Sequence, residues 1–373
     1  MTYRCVFQSE GSLRWLGEPD AVLTAHSQAE LLRLRVSVEH SLAEEYRFAA
    51  GVLPYEAGSA LQGLPTAPFT AWVYLYKEAP ATQPSAPPSD SDDFTLASAF
   101  QPEQNRQAYL SSLARIQAYL QAGDCYQVNL AQRFSAHFSG STLGAWLALQ
   151  QDHPAPHSCY FETGHGDSVF GVSPERLLSI QGRRVVTEPI KGSRPRGQTP
   201  DEDDLLAAEL QANPKDQAEN LMIVDLLRND LGISCESGSI KASPLFELRR
   251  FSNVQHLVST ITGTLKADIT PLQALFSAFP GGSITGAPKK RAMEIITELE
   301  PRPRGAYCGS FFWMDDQGNL DSNILIRTLQ TEGDRLYCHG GGGIVFDSVP
   351  EAEHEESCFK VAKLMGALEE RFL

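Results

Sequence analysis

Two pairs of carboxylates stand at helical spacing in this chain. Asp216 and Glu219 are three residues apart, as are Glu353 and Glu356. Side chains three apart share one face of an α-helix. Lys360 lies four beyond Glu356 and projects the same way. Two such helices facing each other would bring four carboxylates to one point. Oxygen-only ligation of that kind suits magnesium, which keeps some waters and often bridges to an anionic substrate. Solvated helix faces with internal pairs such as Glu356–Lys360 are the plain alternative, since acidic side chains are normally exposed.

A second group is basic. Lys191 lies in EPIKGSRPRG, bracketed by Pro189 and Gly192, with Arg194 and Arg196 following. Arg327 ends the alternating run NILIR. A lysine in a partly buried pocket loses its proton and acts as nucleophile or base. A surface-turn lysine at its ordinary pKa is the alternative. His256 interrupts a strand-like run between Gln255 and Leu257, as a donor to a substrate hydroxyl or as a satisfied core histidine. His153 and His157 are four apart, but Pro154 and Pro156 keep any helix from aligning them.

Two glycine loops complete the set. Gly281-Gly282-Ser283-Ile284-Thr285-Gly286 precedes a helix that begins near Pro288, and His339 with Gly340–Gly343 precedes an apolar run. Glycines let a backbone approach a ligand, and a helix start offers free N–H groups to a carboxylate or phosphate. Tight turns between core elements are the other reading. A nucleotide loop fails on detail, because Ala287 follows Gly286 where lysine is needed. No GxSxG nucleophile motif occurs.

These residues need elements to hold them. NRQAYLSSLARIQAYLQAG spaces Tyr109, Leu113, Ile116 and Leu120 helically and stops at Gly123. In CYQVNLAQRF, Tyr126, Val128 and Leu130 alternate with Gln127, Asn129 and Ala131, as a strand should. Helix is expected on both sides of Asn213–Pro214, with Asn213 as cap and Pro214 at the first helical position. FTAWVYLYK reads as a strand, and a final helix follows Ser348. EAPATQPSAPPSDSDD reads as a linker near 78–93. Strands without regular βαβ alternation argue for an α+β fold.

Composition sets outer limits. The 373 residues carry 31 Lys+Arg against 46 Asp+Glu, a net charge of −15, which argues against a nucleic-acid or anionic-membrane binder. Seven cysteines without a CxxC pair argue for a reducing compartment. No apolar run reaches membrane-span or signal-peptide length, so the expected location is cytoplasmic.

Taken together, GVSPERLL, EPIKGSRPRG, AENLMIVDLLRNDLG, VQHLVSTITG, FPGGSITGAPKKRAMEIITELE, RGAYCG, NILIRTL and GGGIVFDSVPEAEHEE resemble the chorismate-using enzymes. That family includes anthranilate, aminodeoxychorismate, isochorismate and salicylate synthases. The resemblance runs over 101–370, the expected catalytic domain, and leaves 1–95 as a shortened, sheet-contributing N-terminal domain in which LPYEAGSAL is the clearest trace. It implies large antiparallel sheets packed together, helices outside, and an active site in the cleft between them. It implies Glu219 and Glu356 as direct magnesium ligands, with Asp216 and Glu353 acting through water; Asp216 stands where many relatives have glutamate. It implies Glu175 as general acid/base and His256 near the departing C4 hydroxyl. Tyr307, Arg327, Gly341 and Lys360 would bind carboxylates, with Thr285 and Gly286 lining the pocket.

PIKG at Lys191 resembles the aminodeoxychorismate synthase branch, where anthranilate synthases usually read PIAG. That branch implies a covalent lysine intermediate, chorismate as substrate, and ammonia from a separate glutamine amidotransferase subunit. Anthranilate synthase component I is the enzymatic alternative. An inactive regulatory or scaffold subunit is the alternative of another class, and it predicts eroded metal and basic residues, which this sequence does not have.

Overall fold

The computed structural model describes residues 3–83, 93–251 and 254–373. Among them lie two large sheets, one of ten strands and one of nine, and a separate three-stranded sheet. All strand pairings are antiparallel. The ten-stranded sheet runs from Gly286–Ala287 through Gln127–Ser139, Arg335–Ile344, Thr328–Glu332, Ser168–Ser173, His157–Glu162 and Cys5–Ser9 to Ser12–Leu16. The nine-stranded sheet includes Ile261–Thr264, Arg184–Glu188, Arg176–Gln181, Leu320–Asn323, Ser310–Asp315, Phe48–Leu53 and Ala71–Tyr76 in that order.

The two sheets meet face to face. Cys5, Phe7, Phe161 and Val169 from one pack against Phe48, Val52, Tyr74 and Phe311 from the other. Phe7 stacks on Phe48 with ring centroids 6.0 Å apart. Helices lie on the outer surfaces. Arg106–Ala122 buries Tyr109, Leu113, Ile116 and Leu120, starts where Asn105 caps the Ala108 N–H, and ends at Gly123 with φ +78°. Pro350–Phe372 covers the strand Arg335–Ile344. This is the α+β architecture the residue pattern predicts.

The N-terminal strands do not form a sheet of their own. Cys5–Ser9 pairs with His157–Glu162, and Phe48–Leu53 pairs with Ser310–Asp315, so residues from this part enter both large sheets. Ala71–Tyr76 is the strand expected from FTAWVYLYK, while RLRVSVEH lies inside the helix Gln28–Glu44. Of the expected linker near 78–93, residues 84–92 lie outside the described residues. Among the described residues, no helix is long and apolar enough to cross a membrane.

Two local expectations need correction. The strand Gln127–Ser139 does not alternate at its start, because Gln127–Gln132 are all buried while Tyr126 is exposed. Both faces are covered: Gln132 Nε2 donates to Ser357 Oγ of the C-terminal helix at 2.6 Å, and Glu300 Oε1 accepts from the Ala131 N–H at 2.9 Å. The run His339–Gly343 is not a loop before a strand but part of one, Arg335–Ile344, paired along its length with Gln127–Ser139. A side chain at 340 would lie 2.1 Å from the Ser357 carbonyl oxygen, so the glycine allows the C-terminal helix to lie directly on the sheet.

Candidate active site

The lysine sits on an interrupted strand. Ile190–Pro195 pairs with Val254–Val258, but the register shifts between Ile190 and Ser193, so Lys191 and Gly192 fall in a bulge. Bulges re-aim side chains. Lys191 is partly buried. Burial pushes its pKa down and the Lys360 ammonium adds to that, outweighing Glu219, Glu175 and Glu356. Among the described residues no carboxylate forms an ion pair with its amine. Glu175 is buried, and burial raises its pKa against the opposing pull of Lys191 and of the Ser283 hydroxyl, which donates to Oε1 at 2.9 Å. Both shifts run toward the uncharged form, the form that a nucleophilic amine or a proton-donating acid needs.

His256 belongs to the same small sheet. It is buried, with Nδ1 2.7 Å from Ser193 Oγ, and Nε2 has no hydrogen-bond partner. Burial, with Arg327 nearby, pushes it down to about 4 against the Gly192 carbonyl, so the ring is neutral at pH 7. Asn220 anchors this sheet to the helix Pro214–Ser234, accepting from Ser259 Oγ at 2.5 Å and donating to the Leu257 carbonyl at 3.4 Å.

Arg327 and Tyr307 form a second group. Burial lowers the pKa of Arg327, and among the described residues no carboxylate pairs with it. A desolvated guanidinium without a counterion is ready for an anionic ligand. Its backbone holds φ +50°, and Cys308, beside Tyr307, holds φ +61°. Two non-glycine residues in left-handed geometry at one site mark stored strain. Tyr307 is buried and stacks on His339 with centroids 5.0 Å apart. A side chain at Gly341 would come within 2.9 Å of the Tyr307 hydroxyl, and one at Gly286, φ +138°, within 2.1 Å of the Gln127 carbonyl oxygen. Thr285 is fully buried, but its hydroxyl donates to the Gly281 carbonyl at 3.0 Å; it shapes the loop.

Residue-type reasoning missed the residue that ties this group together. Arg304 is buried and donates from Nε and Nη2 to Glu300, from Nη1 to the Ile284 carbonyl and from Nη2 to the Asn129 carbonyl. It therefore joins the Thr285 loop to the strand opposite Gly341–Gly343. RGAYCG gave no hint of an internal ion pair, because Glu300 lies outside that motif. Gln127 and Asn129 were also missed. Each is buried with an unpartnered side-chain NH2. Their signal was amides in a strand covered on both faces.

The acidic residues come together in part. Glu353, Glu356 and Lys360 meet above Gly342, where a side chain would lie 3.4, 3.8 and 3.5 Å from Glu353 Oε2, Glu356 Oε1 and Lys360 Nζ. Lys360 Nζ is 2.7 Å from Glu356 Oε1 and donates to the Gly341 carbonyl at 3.0 Å. Burial pushes Glu356 up, but Lys360, Lys215 and Lys191 outweigh it and hold the carboxyl below its usual value. Burial raises Glu353, and Glu356 adds to that against the Ser348 hydroxyl, which donates to Oε1 at 2.6 Å.

The donor set suits magnesium, being carboxylate oxygen without thiolate or imidazole. Among the described residues no three such side chains are close enough to hold a metal ion. Lys215 Nζ, 3.8 Å from Glu219 Oε1, and Lys360 already supply those carboxylates with cations. Asp216 stands apart, paired with Arg194 at 3.3 Å.

An amine with a lowered pKa, a buried acid and a guanidinium without a carboxylate partner are the candidate site's charged groups. Residues 6–366 match the family described as chorismate binding enzyme, and the chain belongs to that family. It is 47% identical over 281 residues to aminodeoxychorismate synthase component 1 of Escherichia coli K12, covering 75% of this chain and 62% of that protein. It is 40% identical over 291 residues to anthranilate synthase component 1 of Geobacillus stearothermophilus, covering 78% of this chain and 57% of that one. The chain thus spans about three fifths of the length of these relatives. Its fold matches anthranilate synthase component I from Streptococcus pneumoniae with a TM-score of 0.78 at 25% identity, over 97% of this chain and 90% of that one. It also matches a putative 2,3-dihydroxybenzoate-specific isochorismate synthase from Bacillus anthracis, with a TM-score of 0.81 at 20% identity over 98% and 96%.

Proposed function

We propose that the protein converts chorismate and ammonia to 4-amino-4-deoxychorismate, as an aminodeoxychorismate synthase component I. The observation that carries this is Lys191, a partly buried amine with a lowered pKa beside the buried carboxyl of Glu175. Similarity to relatives named for that reaction supports it.

Lys191 attacks C2 of the ring as the free amine. The ring double bond shifts and the C4 hydroxyl leaves as water, taking its proton from Glu175. The new C2–N bond releases the amine proton back to Glu175. Ammonia then adds at C4, the double bond returns, and the Lys191 amine departs reprotonated. The sum is chorismate plus ammonia to amino product plus water, with the enolpyruvyl group retained. His256 Nε2 faces the departing hydroxyl, and Arg327 and Tyr307 hold the carboxylates. Glu219, Glu356 and Glu353 would hold magnesium, which would supply neutralising charge beside the ring carboxylate.

Ammonia comes from a glutamine amidotransferase subunit, and a separate lyase would be needed to reach 4-aminobenzoate for folate. The setting is the cytoplasm, where the free cysteines stay reduced. The test is incubation with chorismate, magnesium and ammonium above pH 8, with intact-mass detection of a chorismate adduct mapped to Lys191. The amino product and the adduct are expected. Anthranilate or isochorismate in place of the amino product would overturn the assignment.

A further inference from the structure

The bulge that frees Lys191 also leaves it poorly held. Ile190 pairs with Val258 and Ser193 with His256, but the register breaks across Lys191 and Gly192. A strand carrying a nucleophile on a broken ladder needs another tether. One lies on the helix Pro214–Ser234. Asp216 sits in its first turn, with its N–H capped by Asn213 Oδ1 at 3.1 Å. Its Oδ2 accepts from Arg194 Nη2 at 3.3 Å. Gly192, at φ +80°, lies against the same carboxylate: a side chain there would come within 3.0 Å of Asp216 Cγ. Both contacts fall on the lysine strand, one and three residues after Lys191. Glu219, a turn further along, has neither contact and pairs with Lys215 instead.

We infer that Asp216 is a positioning residue for Lys191, acting through Gly192 and Arg194, and is not part of the magnesium shell. The side chain is drawn off the metal side by a guanidinium on the strand it holds. Arg194 is itself steered from behind, with Glu209 of the helix Pro200–Ala212 3.9 Å away. Capping by Asn213 fixes the helix start, so the clasp has a rigid base.

The inference deepens the reading of Lys191 as nucleophile and rests on it. The test therefore uses two measurements that need no chorismate. Asp216→Asn, Arg194→Met and the double variant are compared with Glu219→Gln. Hydrogen exchange of the peptide spanning 189–196 should rise about ten-fold in each single clasp variant, and no further in the double variant, as loss of one shared contact requires. Glu219→Gln should leave that peptide unchanged. Magnesium affinity by calorimetry should stay within about two-fold in Asp216→Asn and fall about ten-fold or more in Glu219→Gln. Asp216→Asn with weakened magnesium and unchanged exchange would overturn the inference, as would multiplying effects of the two clasp substitutions. If Asp216→Asn does not fold, Arg194→Met carries the same comparison. Failure of the wild-type chain to aminate chorismate would strike the proposed function and leave both measurements standing.

Discussion

The two sides of this site are prepared in opposite ways. On the lysine side burial pushes each working group toward its uncharged form: Glu175 is raised by it, and Lys191 and His256 are lowered by it. On the acidic side Glu219 and Glu356 keep contact with solvent, with ammonium groups from Lys215 and Lys360 beside them. The first side has its chemistry ready before substrate arrives. The second keeps charges that a divalent cation can claim at modest cost, because exposed ion pairs are weak. The lesson is that desolvation tunes reactivity on one side, and availability of charge governs the other.

The largest expected effect tests the first side. Lys191→Ala should lower formation of the amino product by more than ~10³-fold, since it removes the nucleophile rather than weakening it. Magnesium affinity should be nearly unchanged. A full-rate variant would refute covalent lysine catalysis. Glu175→Gln should cost ~10²–10³-fold in kcat, the range of a lost general acid, and should remove one limb of the pH–rate profile. An unaltered profile would mean that the buried acid carries no proton in the reaction.

A smaller effect follows from the same burial. His256 titrates at about 4 in the fold, against about 6.5 in the unfolded chain. Between these values the unfolded state binds a proton that the native state refuses. Stability from this group is therefore complete above pH 6.5 and is lost as pH falls toward 4. Between pH 7 and pH 5 it should account for ~2 kcal/mol, from about 1.4 kcal/mol per pH unit. Urea unfolding of His256→Gln at the two pH values should show a pH dependence shallower by that amount. Burial moves Glu175 with the opposite sign: its cost is relieved as pH falls through its raised folded pKa, so the variant comparison is needed to separate the two.

Much of this site could be read from residue types and spacing. The helix Pro214–Ser234 begins where Asn213–Pro214 said it would, because capping is local chemistry. Periodicity placed Asp216 and Glu219 on one helix and Glu353 and Glu356 on another. It could not give the partners that claim each carboxylate, which come from other elements: Arg194 for Asp216, Ser348 for Glu353. The glycines at 340–343 suggest close approach of another element but not which element approaches. Strand pairing with Gln127–Ser139 is a long-range property that no local window contains. Arg304 was invisible for the same reason, since its partners at 56, 129, 284 and 300 are scattered along the chain.

The finest test of the comparison is a residue on the lysine side that touches no acid. Ser193 Oγ lies 2.7 Å from His256 Nδ1. With Nδ1 so engaged, Nε2 is left as the free edge, buried and without a partner. Removing the hydroxyl leaves the ring in place through packing but frees its tautomer. The loss should be that of one ordinary hydrogen bond, ~1 kcal/mol, or about five-fold in kcat with little change in KM. Ser193→Ala should show this and Ser193→Thr should restore it, because threonine keeps the hydroxyl. Nitrogen NMR of His256 should report a mixed tautomer in the alanine variant alone. A rise in KM larger than the fall in kcat would place Ser193 on the substrate instead, and the lysine side would then be less preorganised than its buried acid and amine suggest.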